Sequence, residues 1–362
     1  EGIELVKRLG IAEELISVNP EARRALIWSS QKGNRSGVLL PVPQGFRLLA
    51  PGRIIPFLQS NILSCYGRLR VAGERFIPRR SNHDVDESLE SFAVRRLGQE
   101  AFHKLVQPLV SGIWTADPSR LSMAAACPEF LKMEHDWGSL TKGEKKRVAQ
   151  ASGLSDASGA RYGQFVSFKN GMQTLVDALE SRLRRAGVVV VQGHVRSLQR
   201  NGSQWQVVFG DQTIRADGIV LAAPASKVAE MVSTVSPDLS TELRMIEYAG
   251  AAVVSLGFDR QDVSHSLQAA GMILPRIAGK RILAASFLSS KFPGRAPCGS
   301  VLIRAFIGGA LDKGVSRLAD EKVVEAVLVD LRATIGLHGS PSIVQVDRWH
   351  ESMPQYNVGH VE

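Results

Sequence analysis

The stretch GMQTLVDALESRLRRAGVVVVQGHVRSLQRNGSQWQVVFGDQTIRADGIVLAAP, residues 171–224, decides how the chain is read. After Asn170-Gly171, the residues Met172, Leu175, Val176, Leu179 and Leu183 recur at helical spacing and make an amphipathic helix. Gly187 stops it. Val188–Val191 is continuously apolar and predicts a strand of the buried parallel kind, covered on both faces. Then come Val195–Gln199, an Asn201-Gly202 turn, Gln204–Phe209, a Gly210-Asp211 turn and Thr213–Ala223. Asn-Gly between alternating segments is a hairpin signal, because a two-residue turn of that kind needs positive φ. Helix, buried strand and antiparallel meander together predict an α/β unit. A helix over 225–235 follows Ala222-Ala223-Pro224.

Toward the C-terminus the character changes. Strand-like segments recur at 250–258, 270–275, 281–287, 299–307 and 342–349, which predicts an antiparallel sheet and an α+β region. A helix at about 319–335 carries Val323, Val324, Val327, Leu328, Leu331 and Ile335 and is closed by Gly336. Toward the N-terminus, residues 4–16 suit a helix broken at Gly10. Ala25–Trp28, a polar turn Gln31–Ser36 and Val38–Leu40 read as a hairpin. Residues 41–60 are rich in Pro and aliphatics, which is not ordinary loop composition. Asp86 is placed to cap a helix through Leu97. A helical stripe continues through Ala101, Phe102, Leu105 and Leu109, breaks at Ser111–Pro118 and resumes over Leu121–Leu131. Residues 141–162 are polar, basic and small, and read as a surface loop. No repeat of fixed period is present.

The 362 residues carry 44 Lys plus Arg against 35 Asp plus Glu, a formal charge of +9. With 44% hydrophobic and 22% charged residues the chain is too apolar to be disordered. Three widely spaced cysteines, Cys65, Cys127 and Cys298, fit a reducing compartment and exclude a disulfide framework or a cysteine zinc site. The best uncharged apolar run, near Ala249–Phe258, has ten residues, too short to span a membrane. The basic residues come in short clusters without interleaved aromatics, so nucleic acid is not the expected partner. The chain opens on Glu1 rather than Met and closes on Glu362, and is read as a piece of a longer protein.

Little self-contained chemistry is visible. There is no G-x-G-x-x-G, P-loop, His-Glu-x-x-His or Cys-x-x-Cys, and the eight histidines lack metal-ligand spacing. No catalytic side chain and no metal site are expected. If the chain is enzymatic, its reactive group comes from a cofactor.

Several motifs, taken in order, resemble one family. They are Glu21-Ala22-Arg23-Arg24-Ala25-Leu26-Ile27-Trp28, Leu40-Pro41-Val42-Pro43, Asp86-Glu87-Ser88-Leu89-Glu90-Ser91-Phe92 and Arg95-Arg96-Leu97-Gly98. Leu109-Val110-Ser111-Gly112-Ile113-Trp114-Thr115-Ala116-Asp117-Pro118, Phe168-Lys169-Asn170-Gly171-Met172, Ala222-Ala223-Pro224 and Met353-Pro354-Gln355-Tyr356-Asn357-Val358-Gly359-His360 complete the set. Together they resemble the oxygen-dependent, FAD-containing protoporphyrinogen/coproporphyrinogen oxidases, within the flavin amine-oxidase-like superfamily, over essentially the whole chain. The resemblance implies a dinucleotide-binding βαβ unit before Glu1 and a strand–helix after Glu362. It implies that 1–40 starts the substrate and FAD domains. A helical membrane-associated domain then covers 41–162 and the middle of the FAD domain 163–224. The substrate domain covers 225–347, and 348–362 returns to the FAD domain. The implied activity is oxidation of protoporphyrinogen IX or coproporphyrinogen III to the porphyrin in haem biosynthesis, with six electrons removed and hydrogen peroxide formed. FAD is the implied cofactor, and the porphyrinogen, oxygen and a membrane surface are the implied partners. The expected location is cytoplasmic and peripheral to a membrane, an organelle membrane in a eukaryote, as monomer or homodimer.

Residue by residue, the resemblance places Arg24 against a propionate, which suits a guanidinium's bidentate geometry. Arg23 is the alternative register. Gly112 lines the tetrapyrrole pocket, where a missing side chain lets a flat ring approach, with Ile113 as a neighbouring wall. Met272 and Ile273 lie in the segment that sandwiches the macrocycle, and Ala270 stands where many relatives carry an aromatic. Met353 approaches from beside the flavin. Val195 matches a backbone contact to FAD, and Trp349 a position near the flavin. An amine oxidase or carotenoid desaturase, and a non-catalytic tetrapyrrole carrier, are the alternative readings. The count of only 22 aromatics argues against an amine oxidase's aromatic cage.

Overall fold

The computed structural model describes residues 2–30, 37–81, 85–150 and 165–361. Its strands are β1 (Leu15–Ser17), β2 (Ala25–Ser30), β3 (Gly37–Pro41), β4 (Phe46–Arg47), β5 (Ala50–Pro51), β6 (Val166–Phe168), β7 (Val195–Asn201), β8 (Gln204–Phe209), β9 (Gln212–Ala216), β10 (Tyr248–Asp259), β11 (Gly271–Ile273), β12 (Ile282–Phe287), β13 (Ser300–Gly308) and β14 (Ile343–Pro354). They fall into two compact units, residues 2–14 with 170–248 and residues 15–169 with 249–361. The architecture is mixed α/β.

The first unit is built on the antiparallel meander β7-β8-β9, whose Asn201 pairs Gln204 across the Asn-Gly turn. The amphipathic segment forms the helix Gln173–Arg185. Leu198 of β7 packs with Val228 and Val232 of the helix Ala225–Val232. A helix Pro237–Met245, unmarked by any sequence signal used above, follows. The expected buried strand at Val188–Val191 does not form. These four residues belong to no strand, and Val189 is 82% exposed. β9 likewise ends at Ala216, well short of Ala223. A parallel strand exists only where neighbours supply its ladder on each side, and no described segment of this unit does so.

The second unit centres on a seven-stranded sheet of order β14-β10-β13-β12-β11-β2-β3. β10 with β13, β13 with β12, β12 with β11 and β2 with β3 pair antiparallel, whereas β11 and β2 run parallel, so the sheet is mixed rather than wholly antiparallel. β2 and β3 make the expected hairpin, although its turn, residues 31–36, lies outside the described residues. Alternation then assigns two faces. On one face Val301, Ile303, Ala305 and Ile307 of β13 join Ala252, Val254, Leu256 and Phe258 of β10 beneath Val323, Val327 and Leu331 of the helix Asp320–Ile335. Each Val, Leu, Ile or Phe among them contributes roughly 1.5–3 kcal/mol by leaving water. The other face, at Ala25, Ile27 and Ile273, packs on the helical block. β11 and β12 approach closely enough that a Cβ at Gly271 would collide with the Ala285 carbonyl.

The helical block departs from expectation in detail. Residues 4–16 give a helix only over Gly2–Leu9, then a 3-10 turn and β1, which pairs with β6. Ser88, not Asp86, caps the helix Leu89–Leu97 by accepting from Ser91 N. Asp86 instead accepts from Glu87 N and Ala124 N, tying two segments together. Much of the Pro-rich run is core: Val42, Phe46, Leu49, Ala50 and Phe57 are buried. The basic stretch from 141 begins as the helix Leu140–Gln150, and 151–162 lie outside the described residues. The block is pinned by a buried ion network. Arg96 and Glu74 are fully buried and paired, and Glu74 also accepts from Ser139 Oγ, Leu140 N and Thr141 Oγ1. Arg95 grips Glu134 and Glu87.

Candidate functional site

The site is assembled around β11. Arg24 stands at the foot of β2, exposed, and its carbonyl accepts from Ala270 N at 2.8 Å immediately before β11. Arg23 beside it is half-buried and its Nε has no hydrogen-bond partner. The small Ala270 is buried rather than offered to a ligand. Strand alternation separates the two residues after Gly271. Met272 points into the core beneath Asp320–Ile335, whereas Ile273 faces the helical block. Met272 is 1% exposed and Ile273 5%, so the two expected macrocycle-wall residues are both core side chains, on opposite faces of the sheet.

The helix Gln107–Trp114 packs across β11 and β12 on the face that carries Ile273. A π turn, Phe102–Val106, leads into it because Pro108 supplies no N–H. Gln107 Oε1 accepts from Arg276 N at 3.2 Å, which anchors its start beyond β11. Its end turns at Thr115, in left-handed conformation, whose carbonyl accepts from Ala310 N past β13. Gly112 and Ile113 lie in its exposed last turn, and a Cβ at Gly112 would meet nothing within 4 Å. The structure therefore gathers Arg24, Ile273 and the helix bearing Gly112 and Ile113 around one strand. Packing therefore does not require the glycine at this position.

Met353 and Trp349 are both on β14, at the far edge of the sheet. Met353 is half-buried, its carbonyl accepting from Gln355 Nε2. Trp349 is 56% exposed on the same strand. The chain after β14 returns to the loop beyond Gly112: Ser122 N donates to Tyr356 O, and Val358 N to Arg120 O. In the first unit, Val195 opens β7 opposite Phe209, half-buried against the small core.

Sequence reasoning passed over Arg304. It is an exposed arginine in the middle of β13, on the face opposite Ile303 and Ala305. Its Nε donates to Ser255 Oγ of β10 at 3.4 Å. Nearby, the Lys291 ammonium lies 5.0 Å from the Phe165 ring centre and 5.5 Å from that of Phe292. Burial, and then the Arg304 charge, lower its pKa. A lone charge inside S-V-L-I-R-A-F-I-G was the available signal. Among the described residues no cluster of His, Cys, Asp and Glu could hold a metal, and no helix is long and apolar enough to cross a membrane.

The family model described as flavin containing amine oxidoreductase matches residues 3–362. Among curated proteins, the chain is 33% identical over 358 residues to the coproporphyrinogen III oxidase of Bacillus subtilis (strain 168), covering 99% of this chain and 73% of that protein. It is 28% identical to the chloroplastic protoporphyrinogen oxidase of Oryza sativa subsp. japonica, covering 98% of this chain and 66% of that one. A crystal structure from Exiguobacterium sp. 255-15, provisionally described as a protoporphyrinogen oxidase, superposes with a TM-score of 0.80 at 26% identity, covering 99% of this chain and 74% of that chain.

Proposed function

The chain belongs to the flavin containing amine oxidoreductase family, and from that premise we propose that it oxidises a porphyrinogen to the porphyrin in haem biosynthesis. The observation that carries this reading is the grouping around β11 of an exposed arginine, an apolar strand residue and an exposed glycine-bearing helix end.

FAD is the cofactor of this chemistry. The first unit fits part of such a group. Val188–Val191 stands exposed and outside any ladder, beside the meander that begins at Val195. Those are the apolar edge and backbone that a nucleotide-binding sheet presents. When bound, FAD supplies two-electron acceptance, so that three rounds remove six electrons and six protons, which three molecules of oxygen carry off as hydrogen peroxide.

The chain's own residues bind and orient. The Arg24 guanidinium takes a propionate, fixing which edge of the ring points outward. Ile113 is exposed and gives apolar contact to the ring, with the buried Ile273 behind it. Gly112 lets it lie against helix backbone. No protein nucleophile is used. The test is the intact enzyme with its flavin, given porphyrinogen in air: porphyrin fluorescence should rise with peroxide in a 1:3 ratio by the stoichiometry above. Bound flavin with no porphyrin formed overturns the reading.

Membrane contact is part of the same proposal. Ile55, Tyr66, Leu69 and Phe76 are each at least two-thirds exposed, and Arg53 and Arg75 are exposed beside them in sequence. Apolar tips with basic neighbours suit the surface of an anionic bilayer, and support a location peripheral to a membrane. Tyr66→Ser with Phe76→Ser should reduce co-sedimentation with anionic vesicles. Unchanged binding excludes this patch.

A further inference from the structure

We propose that Arg304, with Lys291 beside it, is a second carboxylate-binding position on the sheet, and that it selects a porphyrinogen bearing carboxylates on all four pyrroles over one bearing two. The inference rests on the porphyrinogen reading above and deepens it.

The argument begins with strand register. Ala25 pairs Gly271, Gly271 pairs Ser286, Ser286 pairs Arg304, and Arg304 pairs Ser255. These five residues form one transverse row across β2, β11, β12, β13 and β10. Directly paired residues share a face, and the flanking Ile303, Ala305, Val254 and Leu256 all point to the opposite core. The row therefore lies on the face that Ile273 and the helix Gln107–Trp114 occupy. One end of it abuts the Arg23–Arg24 pair; Arg304 stands about 14 Å away, three strand spacings of about 4.8 Å. Between them lie Gly271 and Ser286, with no bulk to block a flat ring. The adjoining row, Ile273, Ala284, Phe306 and Val253, is apolar and runs into the core beneath the helix Gln107–Trp114, where Ile273 is 5% exposed. Two cationic positions separated by a row of small residues match a broad macrocycle with anions at opposite edges.

Arg304 is also built to receive an anion. Its Nε is held by Ser255, which fixes the fork while leaving the terminal nitrogens to donate. No carboxylate of the described residues pairs with it. Lys291, whose pKa is lowered first by burial and then by the Arg304 charge, adds positive charge close to that fork. A substrate with two carboxylates can satisfy the Arg24 end alone. A substrate with four presents carboxylates to both ends.

The experiment uses the intact, flavin-loaded enzyme and its Arg304→Gln and Arg304→Lys variants, with coproporphyrinogen as tetracarboxylate and protoporphyrinogen as dicarboxylate. Arg304→Gln should raise KM for the tetracarboxylate about tenfold, the loss of one charge-assisted bond, with kcat nearly unchanged. KM for the dicarboxylate should move less than about twofold, and Arg304→Lys should restore most of the loss. Fluorescence titration with the two porphyrins should reproduce the split without turnover, and flavin absorbance checks folding. Equal shifts for both substrates, no shift, or wild-type turnover of the dicarboxylate only would overturn the inference and leave the porphyrinogen reading standing. A wild-type enzyme that oxidises neither substrate overturns both.

Discussion

Val188–Val191 in the first unit and the alternate positions Val301, Ile303, Ala305 and Ile307 in the second are both apolar and rich in β-branched residues, yet their fates are opposite. In β13 the residues Val301, Ile303, Ala305 and Ile307 are at most 5% exposed, whereas Val188, Val189, Val190 and Val191 range from 46% to 82%. β13 has β10 and β12 on its two sides and the helix Asp320–Ile335 over one face. The valine run has no ladder partner among the described residues. Composition sets the readiness to form a strand; neighbours decide whether it is redeemed.

The comparison can be broken most severely from within the second unit. Arg96→Ala would leave Glu74 charged and buried without its partner, and should cost about 3–5 kcal/mol in chemical denaturation of that unit. A loss below about 1 kcal/mol would mean that the network is not energetically coupled. Next comes Ile303→Ala in β13, expected to cost about 2–5 kcal/mol through lost burial and a residual cavity.

A smaller effect is pH-dependent. Burial pushes the Glu134 carboxyl upward, but the hydrogen bond and charge of Arg95, with the charge of Arg96, more than offset it and hold the pKa below its ordinary value. A depressed carboxylate stabilises the fold fully above the unfolded value of about 4.3, and that contribution is lost as pH falls through the folded value. Unfolding midpoints should drop on the acid side, and Glu134→Gln should flatten that part of the profile. An unchanged slope would remove Glu134 from the account. The least effect is expected in the first unit: Val189→Thr should stay within about 0.5 kcal/mol in this chain and reduce binding of a hydrophobic dye. A cost comparable to Ile303→Ala would show that the run is packed after all.

Legibility followed the range of the forces involved. The helix Gln173–Arg185, the meander turn at Asn201-Gly202, β10 to β14 and the helix ending at Gly336 were readable because period, turn chemistry and caps are local. The cap at Ser88 was misread as Asp86 since both residue types serve, and only the partner Ala124 N takes Asp86 elsewhere. At the site, Arg24, Gly112 and Ile113 carried recognisable motifs and proved exposed. Met272 and Ile273 could not be sorted by sequence, because a one-residue step reverses the face and only register fixes which face is the core. Arg304 was silent for the same reason: its importance comes from Ser255, Ser286 and Gly271, distant in sequence and adjacent only across the sheet.

By itself the sequence determined the succession of elements, the kinship to a flavoenzyme family and an arginine suited to a carboxylate, all of which reside in short stretches of chain. The tertiary structure alone decided that β2 runs parallel to β11, that the valine run stays exposed, and that Arg304 shares a transverse row with β2. The physical reason is that ladder pairing and burial depend on which distant segments become neighbours, a property no single stretch of residues contains.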